Sequence, residues 1–310
     1  MKVLLIVNPY ATSVDANARS TALGALSEGG VHQVEVVETT RRDHATALAA
    51  QGVDDGFEAI VVLGGDGTVN EAANGMLGSG VVLAPLPGGS TNVFARTIGV
   101  HKKVRKAVVQ VRDALDRGSV QSIGLGAVNG RNFLFHVGLG YDAAVVHQVE
   151  LRSHLKRKIG QAIFVWAAFA TWFRHYDRKR PRFALRFPDG VAVDDGYFAI
   201  VLNSNPYTFL GARPFNLSPD TGPDRGLVAV TIRSLKVFTL LRLVGSALTR
   251  GKLVRKHRKV DYHTDLMSFS VTGHGPFPYQ VDGDYLGEAT ELEFTFERDR
   301  LRLIAIPPGR

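Results

Sequence analysis

Ala59-Ile60-Val61-Val62-Leu63-Gly64-Gly65-Asp66-Gly67-Thr68-Val69-Asn70-Glu71 opens with five apolar residues, three of them β-branched, and breaks at Gly64-Gly65. That pattern predicts a buried strand ending in a tight turn. Beyond the turn, Thr68 to Asn74 has the composition of a helix start. A strand, a glycine turn and a helix N-terminus make a natural phosphate cradle. The first-turn N–H groups are unpaired, the helix dipole is positive there, and Gly has no Cβ to hold an anion away. Asp66 would repel a phosphate unless a divalent cation lies between them. Mg²⁺ is commonly held by one or two carboxylates plus substrate phosphates. The stretch therefore suggests a metal–nucleotide site, although an ordinary Gly-rich strand–helix turn would carry the same residues.

The surrounding sequence alternates strand and helix. Val3–Val7 and Val34–Val37 read as strands, and Asp15–Ser27 and Asp43–Gln51 as helices. Val81–Leu86 is a further strand ending in Pro87-Gly88-Gly89-Ser90-Thr91-Asn92. Helices then cover Phe94–Ile98 and Val104–Asp116, the latter with Val104, Ala107, Val108, Val111 and Leu115 on one face and Gly118 after its end. Such alternation predicts βαβ units and a parallel sheet with right-handed crossovers. Ligands gather at the carboxyl ends of such strands. Asn8-Pro9, Thr39-Thr40, Gly64–Thr68 and Gly88–Asn92 all follow predicted strands, so four stretches converge on one edge.

Near residue 120 the pattern changes. Gln121–Val128 and Asn132–Gly138 flank Asn129-Gly130-Arg131, a hairpin signal. Further strands are expected over Arg182–Phe187, Gly196–Asn203, Leu227–Ile232, Leu266–Val271, Phe277–Val281, Glu291–Glu297 and Leu301–Ile306. Helices are expected near Ile159–Tyr176 and Leu235–Thr249. The reading is an α/β nucleotide-binding domain over 1–120 and a mostly antiparallel β-sandwich over 121–310, whose C-terminal tail packs back on the first domain.

Composition narrows the function. The chain has 310 residues, 45% hydrophobic and 21% charged, as in ordinary globular proteins. No run of 18 uncharged apolar residues occurs. The N-terminal apolar run is short and lacks a cleavage site, so it reads as a first strand rather than a signal peptide. Cysteine is absent, which excludes disulfides, zinc–thiolate sites and cysteine nucleophiles; a cytoplasmic protein is expected. The net charge of +8 favours phosphorylated ligands, anionic lipid or nucleic acid.

Three motifs in order carry a resemblance. Asn8-Pro9, then Gly64-Gly65-Asp66-Gly67-Thr68-Val69-Asn70-Glu71, then Pro87-Gly88-Gly89-Ser90-Thr91-Asn92-Val93-Phe94-Ala95-Arg96 resemble the diacylglycerol kinase catalytic family. That family includes bacterial soluble diacylglycerol kinases and the sphingosine and ceramide kinases. Tyr279-Gln280-Val281-Asp282-Gly283-Asp284-Tyr285-Leu286-Gly287 matches its last motif, usually written Asp-Gly-Glu. The resemblance implies an ATP site lined by Asn8, Pro9, Tyr10, Ala11, Thr12, Thr39, Gly64, Gly65, Asp66, Gly67, Thr68, Val69, Asn70, Gly89, Ser90 and Asn92. Asp66 would face ATP-bound Mg²⁺ and Asn92 would brace the glycine turn. Val93 stands where relatives often carry an acid, and Ala11-Thr12-Ser13 where they often read Ser-Gly.

Phosphoryl transfer needs positioning, charge neutralisation and a base for the alcohol proton. Asp284 takes the place of the family's catalytic Glu, and Asp282 that of the preceding Asp; taken alone, Asp-Gly-Asp also reads as a hairpin turn. The resemblance also implies a second, structural metal site in the second domain, as expected in many bacterial relatives. Here Arg225 falls where a ligating Asp is expected, so either Asp224 shifts in or the Arg225 charge replaces the cation; a guanidinium cannot ligate a metal. His257, His263 and His274 lack metal-ligand spacing.

The resemblance implies an ATP-dependent lipid kinase, with diacylglycerol as the leading acceptor and phosphatidic acid as product. The rivals are an NAD-kinase-like enzyme, which shares the Gly-Gly-Asp-Gly-Thr turn, and a silent lipid- or nucleotide-binding regulator. Phe164, Trp166, Phe169, Trp172 and Phe173 with basic flanks, and the cluster Arg250, Lys252, Arg255, Lys256, Arg258 and Lys259, suit an anionic membrane surface; a core helix with solvated ends has the same pattern. Peripheral membrane association and a homodimer are further expectations. No nucleic-acid module is present.

Overall fold

The computed structural model describes residues 1–151, 176–177, 179–222, 225–249 and 251–306. The aromatic segment expected to be helical near Ile159–Tyr176 lies almost wholly outside them, as does Asp224. The chain divides into two compact units: Met1–Leu125 with Arg298–Arg310, and Gly126–Glu297.

In the first unit the order is β1 (Lys2–Val7), α1 (Ala16–Ser27), β2 (Gln33–Glu38), α2 (His44–Asp54), β3 (Ala59–Gly64), α3 (Asp66–Gly75), β4 (Val82–Pro87), α4 (Val93–Thr97) and α5 (Val104–Asp116). β1 is parallel to β2 and β3, and β3 is parallel to β4. The Asp15 carboxylate accepts the Ala18 N–H and so starts α1. β3 and β4 are buried throughout, as unbroken apolar runs in a covered parallel sheet should be. Their side chains join Val3, Leu5 and Val7 of β1 and Val108, Val111 and Leu115 of α5 in one core.

The division falls within β5 (Val120–Val128), a few residues beyond the composition change. β6 (Arg131–Phe133) and β7 (His136–Gly140) follow, then α6 (Tyr141–Glu150), a helix that the sequence pattern did not signal. β8 (Phe183–Arg186), β9 (Ala192–Gly196), β10 (Phe198–Leu202), β11 (Thr208–Leu210), β12 (Arg213–Phe215) and β13 (Leu227–Ile232) come next. α7 (Val237–Ala247) and α8 (Lys252–Lys256) precede β14 (Val260–Leu266), β15 (Ser268–Val281) and β16 (Asp284–Ile304). In the second unit the sheet order is β14-β13-β10-β7-β15-β16, with β8 and β9 joining beside β15. The pairings among these strands are antiparallel.

The expected strands Glu291–Glu297 and Leu301–Ile306 form one strand, β16, rather than two. Asp299 adopts left-handed backbone (φ 51°) inside it, so the charged Arg298-Asp299-Arg300 signal is a local kink and not a break. Beyond the kink, Arg302 and Leu303 pair in parallel with Val82 and Leu83 of β4.

Candidate active site

In the first unit the predicted turns meet. The Asn8 side chain donates from Nδ2 to Thr68 Oγ1 at 2.8 Å, tying the end of β1 to the first turn of α3. Its Oδ1 accepts the Tyr10 N–H at 3.0 Å, which folds the loop after β1. Gly88 N–H donates to Gly64 O at 2.8 Å, and Ser13 N–H to Gly88 O at 2.8 Å. Three loops are thereby stitched by backbone.

Glycine is needed here for close approach. A Cβ on Gly88 would lie 2.8 Å from Gly64 Cα, and one on Gly89 would lie 2.9 Å from Gly65 Cα. In each case the new Cβ would meet backbone, so neither contact can yield cheaply. Asn92, at φ 51°, accepts the Gly89 N–H on Oδ1 at 2.7 Å and donates to Gly89 O at 2.8 Å. It braces the glycine turn as expected of it.

Asp66 does something the sequence did not reveal. Its carboxylate accepts Val93 N–H on Oδ2 at 2.9 Å and Phe94 N–H on Oδ1 at 3.0 Å. Asn92, which precedes α4, makes no side-chain cap of its own. The acid of one turn therefore caps the helix after the other. Arg96 sits in its field: burial lowers the guanidinium pKa and the Asp66 charge opposes that shift.

Of the remaining predicted residues, Pro9, Tyr10, Thr12 and Ser90 are exposed, Tyr10 at 73%. Ala11, Gly65 and Gly67 are half-buried. Thr39 is buried, and its N–H donates to Val7 O at the sheet edge. Val69 and Asn70 are buried within α3, and Asn74 Nδ2 bonds to both Asn70 O and Oδ1. Val69 thus serves packing.

In the second unit Val281 pairs with Asp284 across a two-residue turn, with Asp282 at φ 50° and Gly283 at φ 88°. Two left-handed residues in a two-residue hairpin admit Asp, Asn or Gly and little else. Asp282 is buried. Its Oδ2 accepts Leu134 N–H at 2.7 Å, and its Oδ1 accepts Phe135 N–H and His136 N–H, each at 3.0 Å. A carboxylate so occupied anchors the turn to the chain entering β7, so the expected share in proton transfer does not fit Asp282. Asp284 is half-buried at the far side of the same turn.

Behind the turn lies a polar network that sequence reasoning missed. Gln280 is fully buried; its Oε1 accepts Gly283 N–H at 2.7 Å and its Nε2 donates to Asp142 Oδ2 at 2.9 Å. Tyr207 donates its hydroxyl to Asp142 Oδ1 at 2.6 Å. Burial pushes the Asp142 carboxyl pKa up, against the pull of those two hydrogen bonds. Burial also lowers His136, whose ring packs at 4.3 Å from that of Tyr207, to about 3. Gly138 makes room for Asp142: a Cβ there would fall 1.7 Å from Asp142 Oδ2.

The expected metal site at Asp224 lies outside the described residues; the contacts of Asp220, four residues earlier, are described. Arg255 pairs with the Asp220 carboxylate at 3.3 Å, Tyr262 donates to Asp220 Oδ2 at 2.8 Å, and Arg225 donates to Asp220 O at 3.2 Å. Guanidinium charge, from Arg255 as well as Arg225, occupies the surroundings of that acid. Among the described residues no group of three His, Cys, Asp or Glu gathers to hold a metal.

Comparisons with known proteins bear on the family and the fold. Residues 2–128 match the profile of the diacylglycerol kinase catalytic domain. Diacylglycerol kinase from Bacillus subtilis (strain 168) is 34% identical over 128 residues, which are 41% of this chain and 41% of that protein. The matched stretch therefore spans under half of that relative's length. Diacylglycerol kinase from Staphylococcus carnosus (strain TM300) is 25% identical over 254 residues, 81% of this chain and 78% of that one. Among solved structures, a diacylglycerol kinase from Bacillus anthracis str. Sterne superimposes with TM-score 0.71 and 21% identity, over 99% of this chain and 97% of that chain. An NAD kinase from Archaeoglobus fulgidus in complex with ATP gives TM-score 0.55 and 12% identity, over 99% of this chain and 94% of that chain. At those identities the two structures bear on fold alone. Motifs, turn geometry and profile converge on one assignment: residues 2–128 form a domain of the diacylglycerol kinase catalytic family.

Proposed function

We propose that the chain is an ATP-dependent lipid kinase that transfers the γ-phosphate of ATP to the hydroxyl of a lipid alcohol. The carrying observation is the meeting of the turns after β1, β3 and β4, where Gly64, Gly88 and Gly89 leave no room for a Cβ beside the N-terminus of α3. Backbone N–H groups at such a terminus suit an anion. Diacylglycerol is the first acceptor to test, with phosphatidic acid as product, because the matched relatives bear that name.

Asn8, Thr68 and the glycine turns would hold the nucleotide phosphates. Mg²⁺ fits as an ion carried largely by those phosphates, since the described residues offer Asp66 but no cage. When bound it would neutralise phosphate charge. Asp66 and the Val93 and Phe94 N–H groups would keep α4 in register beside the turn. Asp284 is the candidate base, held in place by the turn that Asp282 and Gln280 fix, and would accept the acceptor's hydroxyl proton.

The test offers γ-labelled ATP with diacylglycerol, a sphingoid base, ceramide, a prenol or NAD. Label in diacylglycerol supports the full reading, and label in another lipid alone corrects the acceptor. Label in NAD alone gives the activity to the NAD-kinase alternative. No label in any acceptor, from folded protein that binds ATP, leaves the silent regulator.

A further inference from the structure

α7 is apolar on two faces. Leu243 and Ala247 pack in a core with Val228, Val230 and Val254. On the other side Val237, Phe238, Leu241, Val244 and Leu248 are exposed, Phe238 at 81% and Leu241 at 59%. Their spacing keeps them on one stripe of a helix. Leu253 of α8 extends the exposed apolar surface, at 63%. Scattered exposed leucines need no account, but a contiguous stripe of large apolar side chains marks a contact surface.

The charged residues of the segment that carries the stripe have one sign. Residues 233–260 hold nine Lys or Arg and no Asp or Glu. Lys236, Arg242, Lys252, Lys256 and Arg258 are exposed, and none forms an ion pair among the described residues. Arg255 is engaged with Asp220 and is not counted with them. An apolar stripe with five such unpaired cations beside it in sequence fits an interface that is greasy within and negative at its rim. An anionic bilayer has that order: acyl chains below, phosphate headgroups above. No described helix is long and apolar enough to cross a membrane, so the contact is peripheral.

We propose that α7 and α8 dock this protein on an anionic membrane surface, with Phe238, Leu241 and Leu253 entering the acyl boundary and the surrounding Lys and Arg meeting headgroups. This deepens the lipid-kinase reading, which requires access to a membrane-held acceptor, yet its test reads binding and not turnover.

The experiment uses the full chain and vesicles of phosphatidylcholine, alone or mixed equally with phosphatidylglycerol. The chain lacks cysteine, so Phe238→Cys, Leu241→Cys and a distant control, Glu35→Cys, can each carry one environment-sensitive dye. The dye should shift to the blue at 238 and 241 with mixed vesicles, and not at 35. Co-sedimentation should weaken at least about tenfold in Phe238→Ser/Leu241→Ser, as loss of two large partly inserted side chains demands. Salt should weaken it too, because exposed charges are screened over about 10 Å at 0.1 M. Unaltered binding of the double variant overturns the proposal. So does a blue-shifted dye at 238 before vesicles are added: dependence on protein concentration would assign the stripe to a second copy, and independence to another part of the chain. Vesicle binding without lipid phosphorylation would defeat the kinase reading alone. Phosphorylation of detergent-dispersed diacylglycerol without vesicle binding would defeat the docking alone.

Discussion

The Asp66 carboxylate accepts the backbone N–H of Val93 at 2.9 Å, so the acid of the glycine turn after β3 caps the helix that follows the turn after β4. Asp66 is therefore a structural joint as well as the acid of the turn proposed to hold phosphate. Asp66→Ala should cost about 1 kcal/mol of stability, the usual scale of a lost cap, and abolish turnover. Asp66→Asn keeps one acceptor oxygen, so it should recover part of that stability while staying inactive. Denaturant melts read beside turnover separate the two; Asp66→Asn with wild-type turnover would remove the acid from the site.

Gly89 tests the cradle without touching a charge. A Cβ there would stand 2.9 Å from Gly65 Cα and 3.2 Å from Asn92 Oδ1. Gly89→Ala should push the two turns apart and cost about 1–3 kcal/mol of local packing. Equilibrium titration with ATP should show at least about tenfold weaker binding, since each 1.4 kcal/mol is a factor of about ten. Unchanged affinity in a folded variant would mean that the turns do not shape the phosphate site.

Asp282 and Asp284 should separate cleanly. Asp282→Asn replaces an acceptor of three N–H groups with an amide that must turn a donor toward them. It should lose about 2 kcal/mol of stability or more. Asp284→Asn should melt as the wild type does, and slow the chemical step by about 10²–10⁴-fold at saturating substrates. Asp284→Glu, which restores the family's usual residue, should remain active. Wild-type single-turnover rates in Asp284→Asn would move the base elsewhere.

His136 sets a pH dependence. Burial lowers it from 6.5 to about 3 in the folded protein. Below 6.5 the unfolded chain takes up a proton that the folded one refuses. The contribution to stability is complete above 6.5 and is lost as pH falls toward about 3. The slope in that window is about 1.4 kcal/mol per pH unit. Asp142, raised by burial, works in the opposite sense: its contribution is complete at low pH and is lost as pH rises. His136→Gln should flatten the acid limb of a stability–pH curve measured by urea melts. An identical curve would place the acid sensitivity in other groups.

The first unit was largely legible in the sequence because its signals are local. β1, β3 and β4 are short apolar runs closed by glycine or proline, and the phosphate turns are contiguous motifs. The second unit yielded less because its decisive contacts are distant in sequence. Asp142 meets Tyr207 and Gln280 across 65 and 138 residues, and no spacing rule links them. Asp282 was visible as a turn residue but not as an anchor, since its partners Leu134, Phe135 and His136 offer only backbone. Likewise, α7 was expected over Leu235–Thr249, but apolar residues on two faces of one helix do not say which face is covered. Arg225 stands in the sequence where a metal-ligating acid is expected, whereas Arg255, which pairs with Asp220, becomes a neighbour only through the fold.

One measurement bears most directly on the proposed chemistry: transfer of label from γ-labelled ATP to diacylglycerol dispersed in detergent, by the wild type and Asp284→Asn side by side. The account predicts labelled phosphatidic acid from the wild type and about 10²–10⁴-fold less from an equally folded Asp284→Asn. Equal labelling by both proteins, or none by a folded, ATP-binding wild type, would contradict it.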